Sequence, residues 1–482
     1  MAESSPIANP VRDVRNAGDD VLMRSPVGAP IFGEERPPPV DPNNPDAMAF
    51  KLHGYFRAPV LMSWTLRQNP APSDKGKFEL RTPYLIDNDY FNSGFGYTPV
   101  NETAYGELFL MAGNRNLTAT VALMASEYSD SSSVQLNQQM GISQGYLTYR
   151  YEPGRIAGIK THIKVKGGAF WDRFGYLEHY DTYIFGRTHQ LGYQVRLDAE
   201  VGDWQFSALQ GLGAHLENVQ ANQAFSLLNS VRVAATYKTA AEMGFYYLRS
   251  WSQEHPSLTN WQDADMTVLG LDARLNSPTL GRLYLAGSSL SANESLFLSP
   301  TIEMLHSDGG TGLTDNYFGT TSSQNGTGDI LSVGWQYDYS LATLLRTLEP
   351  GTRPLWGGDV TASFYGLYSY VESQQKSSDP SINKDGRKYF KYGFDLGWWA
   401  LSWAGLSTRY DRVVLDVDDD RNSFRILSAR FNLRAHWMGE GLLYLQYSHY
   451  FYGDRITLRP GQAQGVTVPD DNVVKLQAQM NF

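Results

Sequence analysis

The sequence contains no cysteine. That excludes disulfides, thiol nucleophiles, thiolate metal sites and a lipid-modified cysteine anchor, and it suits a compartment where stray thiols would be oxidised. Long apolar runs are also missing, since no stretch approaches the roughly 18 to 20 uninterrupted apolar residues that a transmembrane helix needs. A helical membrane protein is thereby excluded. A membrane barrel is not, because only every second residue of its strands meets lipid and mean hydropathy stays low, here −0.38. There is no basic excess: the formal net charge of −10 argues against a nucleic-acid partner. No His-Glu-x-x-His, no Gly-x-Ser-x-Gly and no phosphate-binding loop occurs. The expectation is a protein that is not an enzyme and uses no cofactor and no metal. Met1–Pro10 has neither a basic n-region nor an apolar h-region. An exported protein needs a leader, so the expectation is that one has been trimmed.

What the sequence does have is aromatic residues, glycine and alternation. Thirty Tyr, 22 Phe and 11 Trp accompany 45 Gly, a supply of rings for interfacial girdles and of glycines for turns and close strand packing. The last residues alternate strictly. Val474, Leu476, Ala478, Met480 and Phe482 share one face, and Val473, Lys475, Gln477, Gln479 and Asn481 share the other. A period of two means a strand whose faces meet different surroundings. In a closed membrane barrel the apolar face meets lipid and no edge is left over. A terminal Phe closing such a strand also resembles the assembly signal of bacterial outer-membrane barrels.

Residues 1–47 form a different regime, with Pro37, Pro38, Pro39, Pro42 and Pro45 among scattered charges, and read as a flexible arm. From residue 48 to 482 the alternation takes over. Phe50, Leu52, Gly54, Phe56 and Ala58 oppose Lys51, His53, Tyr55 and Arg57; Ala104, Gly106, Leu108 and Leu110 oppose Thr103, Tyr105 and Glu107. Further on, Leu269, Leu271, Ala273 and Leu275 oppose Asp272 and Arg274; Tyr392, Phe394, Leu396 and Trp398 oppose Lys391 and Asp395; Ala429, Phe431 and Leu433 oppose Arg430 and Arg434. Charges at alternate positions must face water. Tight turns are expected at Gly113–Arg115, Val201–Asp203, Lys238–Ala241, Pro278–Gly281 and Met438–Gly441. Between them lie long polar segments such as Gln253–Asp263, Ser291–Thr327 and Glu372–Lys388. Short turns at one end and long loops at the other are the layout of an outer-membrane barrel, here all-β, antiparallel and of about 18 strands.

Three stretches resemble a known family. Leu52-His53-Gly54-Tyr55-Phe56-Arg57 looks like the opening strand of the maltoporin-like sugar porins, Asn101 through Leu108 is similar to their second strand, and Gly168 through Asp181 to the segment that leads into their inward-folded constriction loop. The resemblance covers roughly a tenth of the chain, and the order and spacing of the stretches carry it. It implies a trimeric barrel of about 18 strands through which oligosaccharides pass along a line of aromatic rings flanked by charges. Carried over, Tyr55 and Tyr105 belong to the aromatic line, and Arg57, Glu107 and Asp181 to the polar tracks. The basic residue of the family's constriction is not matched, Arg173 lying one position away, nor is its loop Trp.

Sugars stack their apolar C–H faces on rings while neighbouring charges hydrogen-bond their hydroxyls, and transport needs such contacts to be weak and repeated. Arg274, Arg430 and Arg434 are expected to line the lumen as well, either touching solute or forming a cross-strand ion-pair ladder. The expected function is an outer-membrane porin, a passive channel for an oligosaccharide or other small hydrophilic solute, with the lipid bilayer and two further copies of the chain as partners. A polysaccharide-export conduit and an anion-selective porin using the inward arginines are the alternatives, with a barrel-embedded enzyme behind them. Two constellations stand apart: His179 and Asp181, two apart on one strand face, and Asp416 with Asp418, Asp419 and Asp420, which resemble a calcium loop by charge alone. The second reads as a solvated hairpin tip.

Overall fold

The computed structural model describes residues 44, 46–66, 78–81, 105–126, 139–156, 158–173, 187–214, 226–238, 240–252, 263–277, 279–294, 327–348, 358–373, 386–414, 417, 423–435, 440–452 and 470–481. The arm of residues 1–47 therefore lies almost wholly outside the described residues. The described chain is strand after strand. β1 (Ala49–Leu66) is followed by a four-residue β2 (Phe78–Arg81), then β3 (Tyr105–Gly113), β4 (Leu117–Ser126), β5 (Gln139–Ile156), β6 (Ile159–Arg173) and β7 (Arg187–Val201). Next come β8 (Trp204–Ala214), β9 (Ser226–Tyr237), β10 (Ala241–Ser252), β11 (Ala264–Ser277), β12 (Gly281–Asn293) and β13 (Gly328–Ser340). One short helix, α1 (Leu341–Leu348), separates β13 from β14 (Asp359–Ser373). β15 (Arg387–Trp399), β16 (Ala404–Val414), β17 (Phe424–Ala435), β18 (Glu440–Tyr452) and β19 (Asp471–Asn481) complete it.

From β3 to β19 each strand pairs antiparallel with the next, and the ring closes on β1. Residues 49–57 of β1 pair with β3, and residues 55–64 pair with β19, at Arg57↔Gln479 and Val60↔Leu476. β2 takes up the same edge of β1 where β3 leaves it, at Ser63–Leu66. It extends β3 instead of widening the ring, so the sheet has 19 strands but the circumference has 18. Closure gives each of the 18 strands of the ring a neighbour on both sides, which is what makes a sheet tolerable inside a bilayer.

The alternation expected from the sequence runs through the strands. Phe50, Leu52, Leu269, Leu271, Leu427 and Phe431 are exposed outward; Thr118, Asp272, Lys391, Asp395, Arg430 and Lys475 are buried inward. Polar inside and apolar outside inverts the order of a soluble protein, and water on the inner side with hydrocarbon on the outer explains it. Rings mark the two rims. Trp204, Phe206, Trp398 and Trp403 are exposed near the short turns, and Tyr392 near the long-loop end. Aromatic belts of this kind sit at membrane–water interfaces.

The turn chemistry explains why the short end is short. Gly202 (φ 62°) and Lys238 (φ 47°) adopt the left-handed backbone that tight hairpins need. Lys238 Nζ sits 3.1 Å from Asp203 Oδ2 and ties two neighbouring turns together. The hydrogen bond from the ammonium to this carboxylate raises the lysine's pKa. At the other end, β12 and β14 run on to Asn293 and Ser373, into the segments read from sequence as loops.

Gly168 in β6 combines φ 132° with a neighbour that leaves no room: a Cβ there would collide with the Gly145 carbonyl oxygen and lie 2.7 Å from Tyr146 Cα. Gly168→Ala is expected to destabilise the barrel by about 2 to 4 kcal/mol, from backbone strain and overpacking together. The urea midpoint of the refolded protein in lipid vesicles checks it, and an unchanged midpoint would mean that β5 and β6 can part there at no cost.

Candidate functional site

The inner wall is the candidate site, and three sectors of it differ. On β9–β11 the charges neutralise one another. Arg232 Nη2 donates to Glu242 Oε1 at 3.1 Å and to Asp272 Oδ1 at 2.8 Å, and Arg274 Nη2 donates to Glu242 Oε2 at 2.9 Å. Arg274, expected to face the lumen, is thus the end of a cross-strand ion-pair ladder. Its neighbours on β12–β14 continue the pattern with acids held by neutral donors. Asp338 accepts from Ser363 Oγ at 2.6 Å and Gln336 Nε2 at 3.0 Å. Asp359 accepts from Ser340 Oγ at 2.6 Å and from the Ala342 backbone N–H at 2.7 Å, so a strand carboxylate caps α1.

The sector from β15 to β19 is different, because cations outnumber acids there. Asp411 is fully engaged: Arg409 donates to it through Nε (2.7 Å) and Nη2 (2.9 Å), and the Tyr365 hydroxyl donates at 2.8 Å. Asp395 is the other buried carboxylate described on these strands, 3.7 Å from Arg430 Nη1. Against it stand Lys391, Arg430, Arg434 and Lys475. Arg430 Nε donates to Gln446 Oε1 at 2.9 Å. Arg430 and Lys475 lie 5.0 and 5.1 Å from the centre of the same Tyr444 ring, two like charges on one aromatic. Among the described residues, buried Arg409 Nη1 and Arg430 Nη1 have no hydrogen-bond partner. Arg434 stacks 4.3 Å above Trp399.

The third sector carries the residues singled out by the family resemblance. Tyr55 and Glu107 are register partners on β1 and β3 and both face inward, as does Arg57. They are almost wholly shielded, Tyr55 at 2% exposure and Arg57 at 0%. Glu107 accepts from Ser143 Oγ at 3.3 Å and from Gln144 Nε2 at 3.4 Å. A bulge in β5 places these two donors, the register slipping between Ala122 and Leu123. Tyr105 begins β3 and pairs in register with Arg57. Asp181 and His179 lie outside the described residues, as do Asp416, Asp418, Asp419 and Asp420.

Several inner-wall residues were not singled out by sequence reasoning. Lys166 Nζ sits over Tyr146 (5.0 Å) and Phe170 (4.8 Å). Arg409, Asp411 and Tyr365 form the tightest charged contact of the inner wall described here. Arg409 and Asp411 stand on the polar phase of an alternating strand, so the signal was present; Tyr365 lies in a stretch, Ala362–Tyr370, where rings fall on both faces and the phase is hard to read. The inner rings lie against the wall instead of projecting from it. A Cβ on Gly393 would meet the Tyr365 ring at 2.7 Å, and one on Gly405 the Trp399 ring at 2.8 Å. Toward the long-loop end the inner wall turns apolar, with Met266, Val268, Leu290, Ile330, Val371 and Ile426 buried inward.

No family model matches the chain, and no curated protein does. Solved structures similar to it are membrane barrels. In-vitro folded OmpT of Vibrio cholerae is 8% identical over 91% of this chain and 98% of its own, with a TM-score of 0.39. OccD3 of Pseudomonas aeruginosa is 10% identical over 96% and 94%, at 0.39. An anion-selective porin from Comamonas acidovorans is 9% identical over 90% and 100%, at 0.36. At these scores the likeness adds nothing to what the strand pairing shows. By its own pairing and its inside-out polarity, the chain is a closed 18-strand β-barrel of the bacterial outer membrane.

Proposed function

We propose that the protein is a passive diffusion channel for small hydrophilic solutes across the outer membrane. One observation carries this: an 18-strand closed ring whose inward positions are charged, amide and hydroxyl side chains. Rings of about 16 to 18 strands are wide enough to enclose an aqueous path, and a polar inner wall has no use in a barrel filled only with itself. The reading includes no catalytic step and no cofactor.

Oligosaccharides are the first solute class. Tyr55 beside Arg57, and Tyr105 with Glu107 and Asp181, would supply the ring-and-charge contacts that the sugar-porin resemblance implies. Arg274, Arg430 and Arg434 would polarise the path, and a homotrimer would be the assembly. A second class, small anions, is favoured by the surplus of cations on β15–β19 and by the unpartnered N–H groups of Arg409 and Arg430. The Tyr444, Tyr365 and Tyr146 rings each already carry a cation at about 5 Å. Ring faces in that state offer an anion more than they offer a sugar.

Planar-bilayer recording of the refolded protein decides between these. Conductance in steps of three that linear malto-oligosaccharides block, with the block weakened in Tyr55→Ala, supports the sugar reading and the trimer. Conductance that sugar leaves unchanged but that favours anions in a salt gradient supports the second. A folded barrel with no conductance overturns the channel reading itself.

A further inference from the structure

The outer wall from β13 to β17 departs from a lipid-tail belt in two ways. The first is a row of rings. Tyr337, Phe364, Phe394 and Tyr410 are successive register partners on β13, β14, β15 and β16, all on the outward phase. Their centroids lie 6.5, 6.5 and 5.7 Å apart, and Tyr392 follows Tyr410 at 6.4 Å. The Tyr337 hydroxyl donates to the Leu280 carbonyl oxygen at the short-turn end, at 2.6 Å. Tyr392 stands near the long-loop end, so the row crosses the belt from rim to rim. Rings that serve a membrane interface gather at the rims, whereas a protein contact collects them throughout its depth. Among the described residues the Tyr410 hydroxyl has no hydrogen-bond partner, a cost that hydrocarbon does not relieve.

The second departure is charge. Asp329 on β13 and Glu372 on β14 are direct register partners, both exposed on the outward phase beside buried Ile330 and Val371. Like charges directly opposite one another destabilise a strand pair, and among the described residues neither carboxylate has an ion pair or a hydrogen bond. Three strands further round the ring, Arg412 on β16 and Arg425 on β17 are register partners on the same outer side. Arg412 Nη2 donates to Ser423 Oγ at 3.3 Å, and the Arg425 guanidinium lies 5.1 Å from the Phe451 ring centre. The acidic pair stands eleven rungs above the lowest pair of β13 and β14, and the arginines eight above that of β16 and β17. Three rungs are about 10 Å, a gap that an arginine and a glutamate extended towards one another span.

We propose that this face packs against further copies of the chain in a closed ring of three. The Asp329–Glu372 pair of one copy meets the Arg412–Arg425 pair of the next, and the row of rings turns towards the three-fold axis. The angle selects the number. Eighteen strands share the circumference, about 20° each, so the two seams stand about 60° apart. From one member of a three-membered ring the directions to its two neighbours also differ by about 60°, whereas a four-membered ring needs about 90°. A two-fold contact centred on either seam sets a patch against itself, acid on acid or arginine on arginine. The inference rests on the closed barrel and deepens the homotrimer of the proposed function by naming its contact face. It does not depend on conduction or on the solute.

Because the chain has no cysteine, the contact can be trapped in the full-length refolded barrel in detergent micelles. Glu372→Cys/Arg425→Cys, oxidised with copper phenanthroline, is expected to give covalent species up to the trimer, and each single-cysteine variant the monomer alone. Within one copy the two positions lie on strands about 14 Å apart, beyond the reach of a disulfide. Sedimentation equilibrium gives the second readout. The unaltered protein is expected to hold three chains and Asp329→Lys/Glu372→Lys one, and adding Arg412→Glu/Arg425→Glu to that chain is expected to restore three. A monomeric unaltered protein overturns the proposal, as does a trimer that survives the acid reversal and fails to cross-link. Cross-linking through a single cysteine overturns the three-fold ring in favour of a two-fold contact. If a charge-reversed chain fails to fold, the cysteine pair still decides. Conductance of the same samples separates the two readings: a monomer that conducts sinks the ring alone, and a cross-linked trimer that does not conduct sinks the channel alone.

Discussion

Asp411→Ala is expected to lower the stability of the barrel by about 3 to 5 kcal/mol, the cost of leaving a buried charge without its partner. The reason is the geometry around Arg409. Its side chain is 3% exposed and Asp411's is 10%, and the two form a bidentate pair at 2.7 and 2.9 Å. Asp411 also accepts the Tyr365 hydroxyl at 2.8 Å, so truncation strands a guanidinium and a phenol together. The like charges of Lys391 and Arg430 in the same sector deepen the loss. Equilibrium urea unfolding in lipid vesicles measures it. The companion variant Arg409→Met/Asp411→Leu is expected to recover most of the loss, because replacing a buried pair by apolar groups of similar size is often close to neutral. If Asp411→Ala shifts the midpoint by less than about 1 kcal/mol, Arg409 reaches water and the wall is looser than its burial indicates.

The second large effect concerns selectivity. The chain carries a formal net charge of −10, and if overall charge governed permeation the channel would prefer cations. The inner wall argues the opposite, because what a passing ion meets is the local field of a low-dielectric cleft. On β15–β19 the buried side chains described are the carboxylates Asp395 and Asp411 against the cations Lys391, Arg409, Arg430 and Lys475. The unaltered protein is therefore expected to favour anions, and Arg430→Gln/Lys475→Gln to reduce the anion-to-cation permeability ratio roughly tenfold. Reversal potentials across a salt gradient give the ratio directly. Cation preference in the unaltered protein would sink the argument. An anion preference that survives the double substitution would move its source to another sector of the wall.

These expectations draw on very different amounts of sequence information. The alternation in Leu269–Leu275, Tyr392–Trp398 and Val473–Met480 gave the correct phase for each strand, because a half-buried strand between lipid and water must write its two environments on alternate residues. The same rule misleads where the polarity of the two phases inverts. Ala264, Met266 and Val268 face inward and alternate with Asp265 and Thr267, whereas from Leu269 on the apolar residues face outward, so five more residues of β11 carry a pattern of the opposite phase. β2 was illegible for another reason: Phe-Glu-Leu-Arg alternates, but four residues are too few for the alternation to stand out, and only pairing with the end of β1 makes them a strand.

The candidate site divides the same way. That Arg57, Glu107, Arg274, Arg430 and Arg434 face inward followed from strand phase alone. Who neutralises whom did not. Arg274 and Arg430 look alike in sequence, each on the polar phase of a strand, yet Arg274 ends in a balanced ladder with Glu242, while Arg430 stands with Lys475 over one tyrosine ring. The difference is set by register between strands far apart in sequence, such as β17 with β18 and β18 with β19.

By itself, then, the sequence determined an all-β barrel, its short-turned and long-looped ends, and which side of each strand meets water. Those are consequences of local chemistry, repeated every two residues. Only the tertiary structure decided that β1 closes on β19, that β2 extends β3 and so leaves the expected ring of about 18 strands at 18 although the sheet has 19, and that the buried cations gather on β15–β19. The physical reason is that a strand's faces are fixed by its own residues, whereas the neutralisation of a charge depends on the register of its neighbours, which no single strand encodes.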